Sequence, residues 1–238
     1  MTNDRVSFET VNNKKIFTVF SEADQPSKKV IIMSHGFRGS SIGPARTFVD
    51  FARKLNQENY SILRFDQPNS GNSEGDFLNS SFYEWVQTTI YFAKKYIDDG
   101  YKVGLIGQSM GATTSIYAAT SDELKNKIPC IILWAPGIAD LVKYKIDSAT
   151  VYEEGGQKYY GSFWNEERTR SIFDAIQQYK GNIHLTFGEE DKYMVLELRK
   201  KLIDLIKNKG QLVTILKGQD HSSWGHNVTQ NVYNKEIE

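Results

Sequence analysis

The apolar positions of this chain change period several times, and each change marks an element. Between residues 5 and 20, apolar and polar side chains alternate around Val6-Ser7-Phe8-Glu9 and again around Ile16-Phe17-Thr18-Val19. Alternation on both sides of Asn12-Asn13 predicts an antiparallel hairpin. Lys29-Val30-Ile31-Ile32-Met33 is a short continuous apolar run, as expected of a strand covered on both faces. The spacing of Phe48, Val49, Ala52 and Leu55 predicts a helix from Pro44 to about Asn59, with Pro44 in its first turn.

Tyr60 to Phe65 reads as the next strand, and Asp66 to Asp76 as a Gly/Asn-rich loop. Ser81-Phe82-Tyr83-Glu84 has the form of a capping box, opening a helix that ends near Asp98 and stops at Gly100. The apolar run Val103 to Gly107 leads into a helix over Ala112 to Thr120, and Ile128 to Trp134 is a further buried strand. Asn182 to Phe187, an amphipathic helix over Val195 to Asn208, a last strand Leu212 to Leu216 and a closing helix within Gly225 to Glu238 complete the pattern. Strand and helix in alternation predict an α/β architecture, a mostly parallel sheet covered by helices on both faces. Ligands of such sheets sit beyond the carboxyl ends of the strands.

The rhythm breaks once. Residues 138–180 carry no sheet strand but do carry Tyr144, Tyr152, Tyr159, Tyr160, Phe163 and Trp164, with Gly155-Gly156 as a hairpin turn. A long excursion of this kind is either a functional element or disorder, and its aromatics argue against disorder. It is expected to be a cap insertion over residues 138–180 within a single domain spanning 1–238. Its aromatics would either bind substrate or pack the insert onto the body; both roles are compatible.

Composition narrows the function. Lys plus Arg, at 29, equals Asp plus Glu, at 29, so no net field draws the chain to nucleic acid or to an anionic membrane. Met1 to Arg5 lacks a signal-peptide pattern, and no apolar run approaches membrane-spanning length. Cys130 is the only cysteine and lies in an apolar run, which predicts a buried inert thiol, no internal disulfide and a cytoplasmic setting.

The candidate chemistry centres on Gly107-Gln108-Ser109-Met110-Gly111. A strand that turns sharply into a helix lifts the central serine above the sheet edge, where the helix N-terminus favours negative charge. The chain contains its own control, Gly71-Asn72-Ser73-Glu74-Gly75, which follows a polar loop and precedes no helix; Ser73 is therefore read as a loop serine. A serine nucleophile needs a base near neutral pKa and a carboxylate to orient that base. Of the four histidines, His184 falls inside an apolar strand, His35 adjoins Gly36, and His226 falls near the closing helix. His221, in the loop after the last strand, is the expected base. Asp191, ending the preceding strand, is the expected acid, with Glu189 and Glu190 as neighbours able to substitute and Asp220 as a loop-structuring group. The backbone N–H groups of Phe37 and Met110 are the expected oxyanion donors. No metal-ligand cluster or nucleotide fingerprint is present, so no cofactor is expected.

These residues resemble the α/β-hydrolase superfamily along nearly the whole chain. His35-Gly36-Phe37, the Asp66 to Ser73 loop, the serine elbow and Phe187-Gly188-Glu189-Glu190-Asp191 fall in that superfamily's order, and the Ser-Asp-His sequence is its triad order. The short chain, the position of the insert and Leu133-Trp134-Ala135-Pro136 resemble bacterial feruloyl/cinnamoyl esterases and serine-aminopeptidase-like hydrolases. The resemblance implies a serine hydrolase of the α/β-hydrolase fold cleaving small-molecule carboxylic esters of aromatic or medium-sized apolar acyl groups. Thioester hydrolysis, acyl transfer or peptide cleavage would use the same machinery, and a non-catalytic ligand-binding role is the alternative from another class. Substrate contacts are expected from Arg38, Tyr144, Tyr159, Tyr160 and Trp164. The chain departs from these esterases at Gln108, Ala112, Arg38 and Lys192-Tyr193-Met194.

Overall fold

A computed structural model describes residues 4–138 and 146–237 of the chain. Ten strands and seven α-helices are present among them. The hairpin of β1 (Asp4–Val11) and β2 (Lys14–Ser21) opens the chain, and its turn holds Asn12 at φ 48° and Asn13 at φ 63°. Asparagine tolerates that left-handed pair, as a two-residue hairpin turn requires. Eight strands then form one sheet in the order β1, β2, β4 (Ser61–Phe65), β3 (Lys29–Ser34), β5 (Lys102–Gln108), β6 (Cys130–Trp134), β9 (Asn182–Gly188) and β10 (Leu212–Leu216). From β4 to β10 every neighbouring pair is parallel. The β3 and β5 runs are buried after their first residue, consistent with cover on both faces.

Two groups of helices supply that cover. α1 (Thr47–Gln57) and α7 (His226–Ile237) pack together. The Phe51 and Tyr233 rings stack at 4.7 Å, and Trp134 of β6 lies 5.4 Å from Phe51. α2 (Phe82–Asp98), α3 (Met110–Ala119), α5 (Ile172–Gln178) and α6 (Leu196–Asn208) form the second, contiguous row. α3 is buried along its whole length, so it carries no polar stripe and packs on every side. No helix among the described residues is long and apolar enough to cross a membrane.

Two expected helix starts differ in detail. Pro44 does not open α1. It heads a separate 3-10 turn, Pro44–Arg46, in which Ala45 (φ 49°) and Arg46 (φ 64°) adopt left-handed conformations, and α1 begins only at Thr47. At α2, Ser81 Oγ accepts the Glu84 N–H at 3.1 Å, which is half of a capping box. The Glu84 carboxylate turns away instead, to Lys14 Nζ at 2.7 Å. Its place is taken from far along the chain: Glu166 Oε2 accepts the Ser81 hydroxyl at 2.6 Å and the Tyr83 N–H at 3.0 Å. The acid still satisfies the orphan donors of the helix N-terminus, but it comes from another element.

Glu166 belongs to the segment between β6 and β9. Its described part contains a two-stranded hairpin, β7 (Val151–Glu154) and β8 (Gln157–Tyr160), turned at Gly155-Gly156, followed by α4 (Ser162–Glu167) and α5. Phe163 anchors α4 and is fully buried, with its ring 5.1 Å from Trp85 and 4.8 Å from Phe37. Tyr159, also buried, sets its ring edge-on to Phe37 at 4.8 Å. Aromatic contacts of this kind each add about 0.5–1.5 kcal/mol beyond the area they bury. The packing role expected of these aromatics is therefore present for Tyr159 and Phe163. Cys130 is half-buried, and burial pushes its thiol pKa upward.

Candidate active site

The end of β5 positions the serine. Ser109 has φ 56° and ψ −125°, a conformation that costs a non-glycine residue roughly 1–3 kcal/mol. The surroundings hold it there: Ser109 N–H donates to Trp134 O at 2.8 Å, and α3 starts at the next residue. The turn is tight enough that a Cβ on Gly107 would lie 2.1 Å from Gly111 O, and one on Gly111 would lie 2.0 Å from Ser34 O. Glycine at both flanks is thus a steric requirement of the elbow.

Two strand-end loops bring the other groups to Ser109. His221 Nε2 lies 2.9 Å from Ser109 Oγ, and His221 Nδ1 lies 2.7 Å from Asp191 Oδ2. Asp191 is fully buried, and its second oxygen, Oδ1, accepts the N–H groups of Tyr193 (2.9 Å) and Met194 (3.3 Å). A buried carboxylate with both oxygens occupied is pinned in one rotamer. Asp220 caps its own loop, accepting the His221 N–H at 2.7 Å. Glu189 accepts the Gly218 N–H at 3.1 Å and is exposed, so Asp191 alone of the three acids meets the imidazole. The other histidines lie elsewhere. His184 pairs with Thr214 Oγ1 at 2.8 Å and Glu236 Oε2 at 2.7 Å, and His226 starts α7 on the surface. Ser73 Oγ donates to Asp66 O at 2.7 Å and accepts the Phe17 N–H at 2.9 Å, so this serine is part of its loop.

Arg199, on the first turns of α6, was not singled out by the sequence. Its guanidinium donates to the carbonyls of Glu189 (2.6 Å), Met194 (3.1 Å) and Asp191, clamping the loop that carries the acid. Nothing in the amphipathic pattern of α6 distinguishes this arginine from a solvated one.

The loop after β3 approaches the serine from the other side. A Cβ on Gly36 would lie 2.9 Å from Ser109 Cβ, so glycine is needed for the contact. Met110 N–H is one of the orphan donors at the N-terminus of α3. His35, fully buried, shapes the loop: its Nε2 accepts the Gln67 N–H at 2.9 Å, which leaves Nδ1 as the donor to Gly36 O at 2.8 Å. Burial holds His35 below its ordinary pKa near 6.5, against smaller opposing effects of the Gly36 carbonyl and Asp66.

That depression predicts an acid-sensitive contribution to stability. Below about 6.5 the unfolded chain takes up a proton at His35 that the folded chain resists, so the contribution is present above that pH and lost as pH falls beneath it. The slope for one group is at most about 1.4 kcal/mol per pH unit. Denaturant midpoints measured between pH 7 and pH 5 should fall more steeply for the wild type than for His35→Gln. Equal slopes would remove His35 as a source of the acid sensitivity.

A cavity of about 1040 Å³ opens beside Ser109 and His221. Phe37, Met110, Ile138, Ile146 and Trp164 form its apolar wall, while Arg38, Glu154, Glu167 and Lys192 also reach it. Arg38 Nη2 meets Glu154 Oε1 at 2.8 Å, tying the loop after β3 to the tip of the β7–β8 hairpin. Of the expected substrate contacts, Arg38 and Trp164 line the cavity. Tyr159 lies behind Phe37, Tyr160 is not on the wall, and Tyr144 lies outside the described residues. Glu167, in the last turn of α4, is 3% exposed; burial pushes its pKa up to about 7, with Arg168 pulling the other way.

Comparison with known proteins agrees with this architecture. The fold superposes on Est1E from Butyrivibrio proteoclasticus, solved with ferulic acid, with TM-score 0.81 and 18% identity over 97% of this chain and 98% of that one. A soluble variant of monoglyceride lipase from Saccharomyces cerevisiae, in complex with a substrate analogue, gives TM-score 0.81 and 14% identity over 100% and 94%. The monoacylglycerol lipase of Paleococcus ferrophilus gives TM-score 0.71 and 18% identity over 92% and 98%. At such identities the likeness is one of fold. No curated protein matches the chain in sequence. Residues 25–168 match the family model described as serine aminopeptidase, S33. With more than half of its length matched, the chain belongs to the serine aminopeptidase S33 family of α/β hydrolases.

Proposed function

We propose that this hydrolase cleaves carboxylic esters through an acyl-enzyme on Ser109. The observation that carries the reading is the relay from Ser109 Oγ to His221 Nε2 (2.9 Å) and from His221 Nδ1 to Asp191 Oδ2 (2.7 Å), beside a cavity with one apolar wall. Ser109 Oγ attacks the ester carbonyl as His221 Nε2 takes its proton. Asp191 keeps the other imidazole proton on Nδ1 and stabilises the cation that forms. The tetrahedral oxyanion receives the N–H groups of Met110 and Phe37, each such donor lowering the barrier by about 3 to 4 kcal/mol. His221 then gives its proton to the leaving alcohol, and a water activated by the same imidazole releases the acid. This chemistry needs no metal or cofactor.

The wall of Phe37, Trp164, Met110, Ile138 and Ile146 favours an aromatic or medium-sized apolar group, with the Arg38–Glu154 pair also lining the cavity. Est1E's ferulic acid and the yeast lipase's substrate analogue lend weight to an ester substrate of that kind. Residues 138–180 act in this reading as a cap over the cavity, and the single cysteine supports a cytoplasmic setting. Turnover of aryl, alkyl and hydroxycinnamoyl esters, a thioester and an aminoacyl amide tests the reading. The highest kcat/KM is expected on esters with aromatic or medium-sized apolar acyl groups. Preference for the aminoacyl amide over every ester would overturn it.

A further inference from the structure

Gln108, the last residue of β5, stands directly before the nucleophile, and the proposed chemistry gives its side chain no task. It is 6% exposed and lines the cavity. Its carboxamide makes no hydrogen bond among the described residues, yet neither amide atom is sealed off, and the space that Gln108 lines is the cavity. A glutamine buried for structural reasons normally has both ends of its amide paired. A ligand filling the cavity takes these two atoms out of water and must replace the hydrogen bonds they lose. The position of the amide follows from Gly36: a Cβ there would lie 2.9 Å from Ser109 Cβ and 3.1 Å from Gln108 Oε1. The carboxamide is thus packed against the loop after β3, beside the attacking serine. The sheet order puts β3 on one side of β5 and the strands that deliver Asp191 and His221 on the other.

We infer that Gln108 is a specificity-determining residue that pairs with a neutral oxygen, hydroxyl or keto, on the α or β carbon of the acyl group. The inference rests on the ester-hydrolase reading and deepens it. Position selects the acyl side. The leaving alcohol takes its proton from His221 and departs on that side, whereas the carboxamide lies toward the loop after β3. Distance selects the α or β carbon. A carbonyl poised for attack stands about 3–3.5 Å from the serine oxygen, so an oxygen two or three bonds further on is within reach of an amide beside the same serine. Chemistry selects a neutral oxygen. A carboxamide offers two N–H donors and an acceptor, which match a hydroxyl in both directions and a ketone by donation. An ammonium or carboxylate would bury a charge against a neutral group, and the Arg38 guanidinium on the cavity wall is already paired with Glu154. An unsubstituted acyl chain would strip both amide atoms of partners, and sites built around a hydrogen bond reject such analogues strongly.

The test uses phenylbutanoate esters of one phenol, the parent beside its α-hydroxy, β-hydroxy and β-keto counterparts, with α-ammonium and α-carboxylate members. Each kcat/KM is divided by the rate constant for hydroxide attack on the same ester, which removes the oxygen's own effect on the carbonyl. Wild-type protein is expected to prefer at least one neutral oxygenated ester over the parent by about tenfold or more after this division. That ratio should fall to about one in Gln108→Met, whose side chain is similar in length but carries neither amide atom. A general loss of activity in the variant cancels from the ratio. A second comparison needs no variant: moving the hydroxyl to the alcohol portion should leave wild-type preference near one. A wild-type ratio near one for every acyl pair, a ratio unchanged in Gln108→Met, preference for the alcohol-side hydroxyl alone, or preference for the ammonium or carboxylate ester would each overturn the assignment. Binding of non-hydrolysable ketone analogues with and without the hydroxyl, read by calorimetry on the wild type, keeps the two readings separate. Tighter binding of the hydroxylated analogue without any ester turnover would sink the ester-hydrolase reading alone; turnover without preference would sink this inference alone.

Discussion

Ser109→Ala should lose ester turnover by about 10⁴- to 10⁶-fold in kcat while the protein keeps its fold. The size follows from the site's division of labour. His221 and Asp191 have nothing to act through once Oγ is gone, so losing the serine removes the whole relay, and the residual rate comes from binding and the oxyanion donors. The fold should survive because the Ser109 side chain contributes one hydrogen bond, to His221 Nε2 at 2.9 Å. The backbone supplies a second readout. At φ 56° and ψ −125° a Cβ is strained, so Ser109→Gly should be equally inactive yet melt higher than Ser109→Ala, by an amount near the roughly 1–3 kcal/mol stored there. Measured kcat and thermal midpoints of the two variants check both statements. Retention of more than a hundredth of wild-type kcat in either would place the nucleophile elsewhere.

Asp191→Asn should cost about 10⁴-fold in kcat near neutral pH with little change in KM. The reason lies in the two N–H groups that Oδ1 accepts, from Tyr193 at 2.9 Å and Met194 at 3.3 Å. In the asparagine variant the carboxamide oxygen takes that position, since an NH₂ there would face two donors. The amide NH₂ is then left facing His221 Nδ1 and forces it to accept. The imidazole proton moves to Nε2, the atom that must be free to take the proton of Ser109. The variant therefore holds the right atoms in the wrong tautomer. Steady-state kinetics beside a melting curve checks this, and a loss below tenfold would mean that Glu190 or another acid serves the imidazole.

Much of this arrangement was legible in the sequence because it is encoded locally. The elbow announces itself by an apolar run, two glycines that sterics require and an immediate helix. Asp191 and His221 follow apolar strands, so each falls at a carboxyl end, where the parallel sheet brings it toward Ser109. What was not legible depends on partners distant in the chain. Pro44 suits a helix start by its own geometry, yet the left-handed Ala45 and Arg46 delay α1 to Thr47. Glu84 matches the capping box, but Lys14 draws its carboxylate off and Glu166 replaces it. Phe37 was read for its N–H alone, whereas its ring is also the hub on which Tyr159, Phe163 and Trp164 seat the insert. Arg199 and Glu167 sit in ordinary charged surroundings in sequence and become distinctive only once folding places one on three carbonyls and the other in a buried wall.

The most direct test of the central claim is intact and peptide mass spectrometry after reaction with an alkyl fluorophosphonate. Attack by an activated serine forms one Oγ–P bond and expels fluoride. The account predicts a single adduct on Ser109, none on Ser73 despite its matching Gly-x-Ser-x-Gly surroundings, and none in His221→Ala. A natively folded wild-type chain that stays unlabelled at Ser109, or is labelled at Ser73 instead, would contradict it.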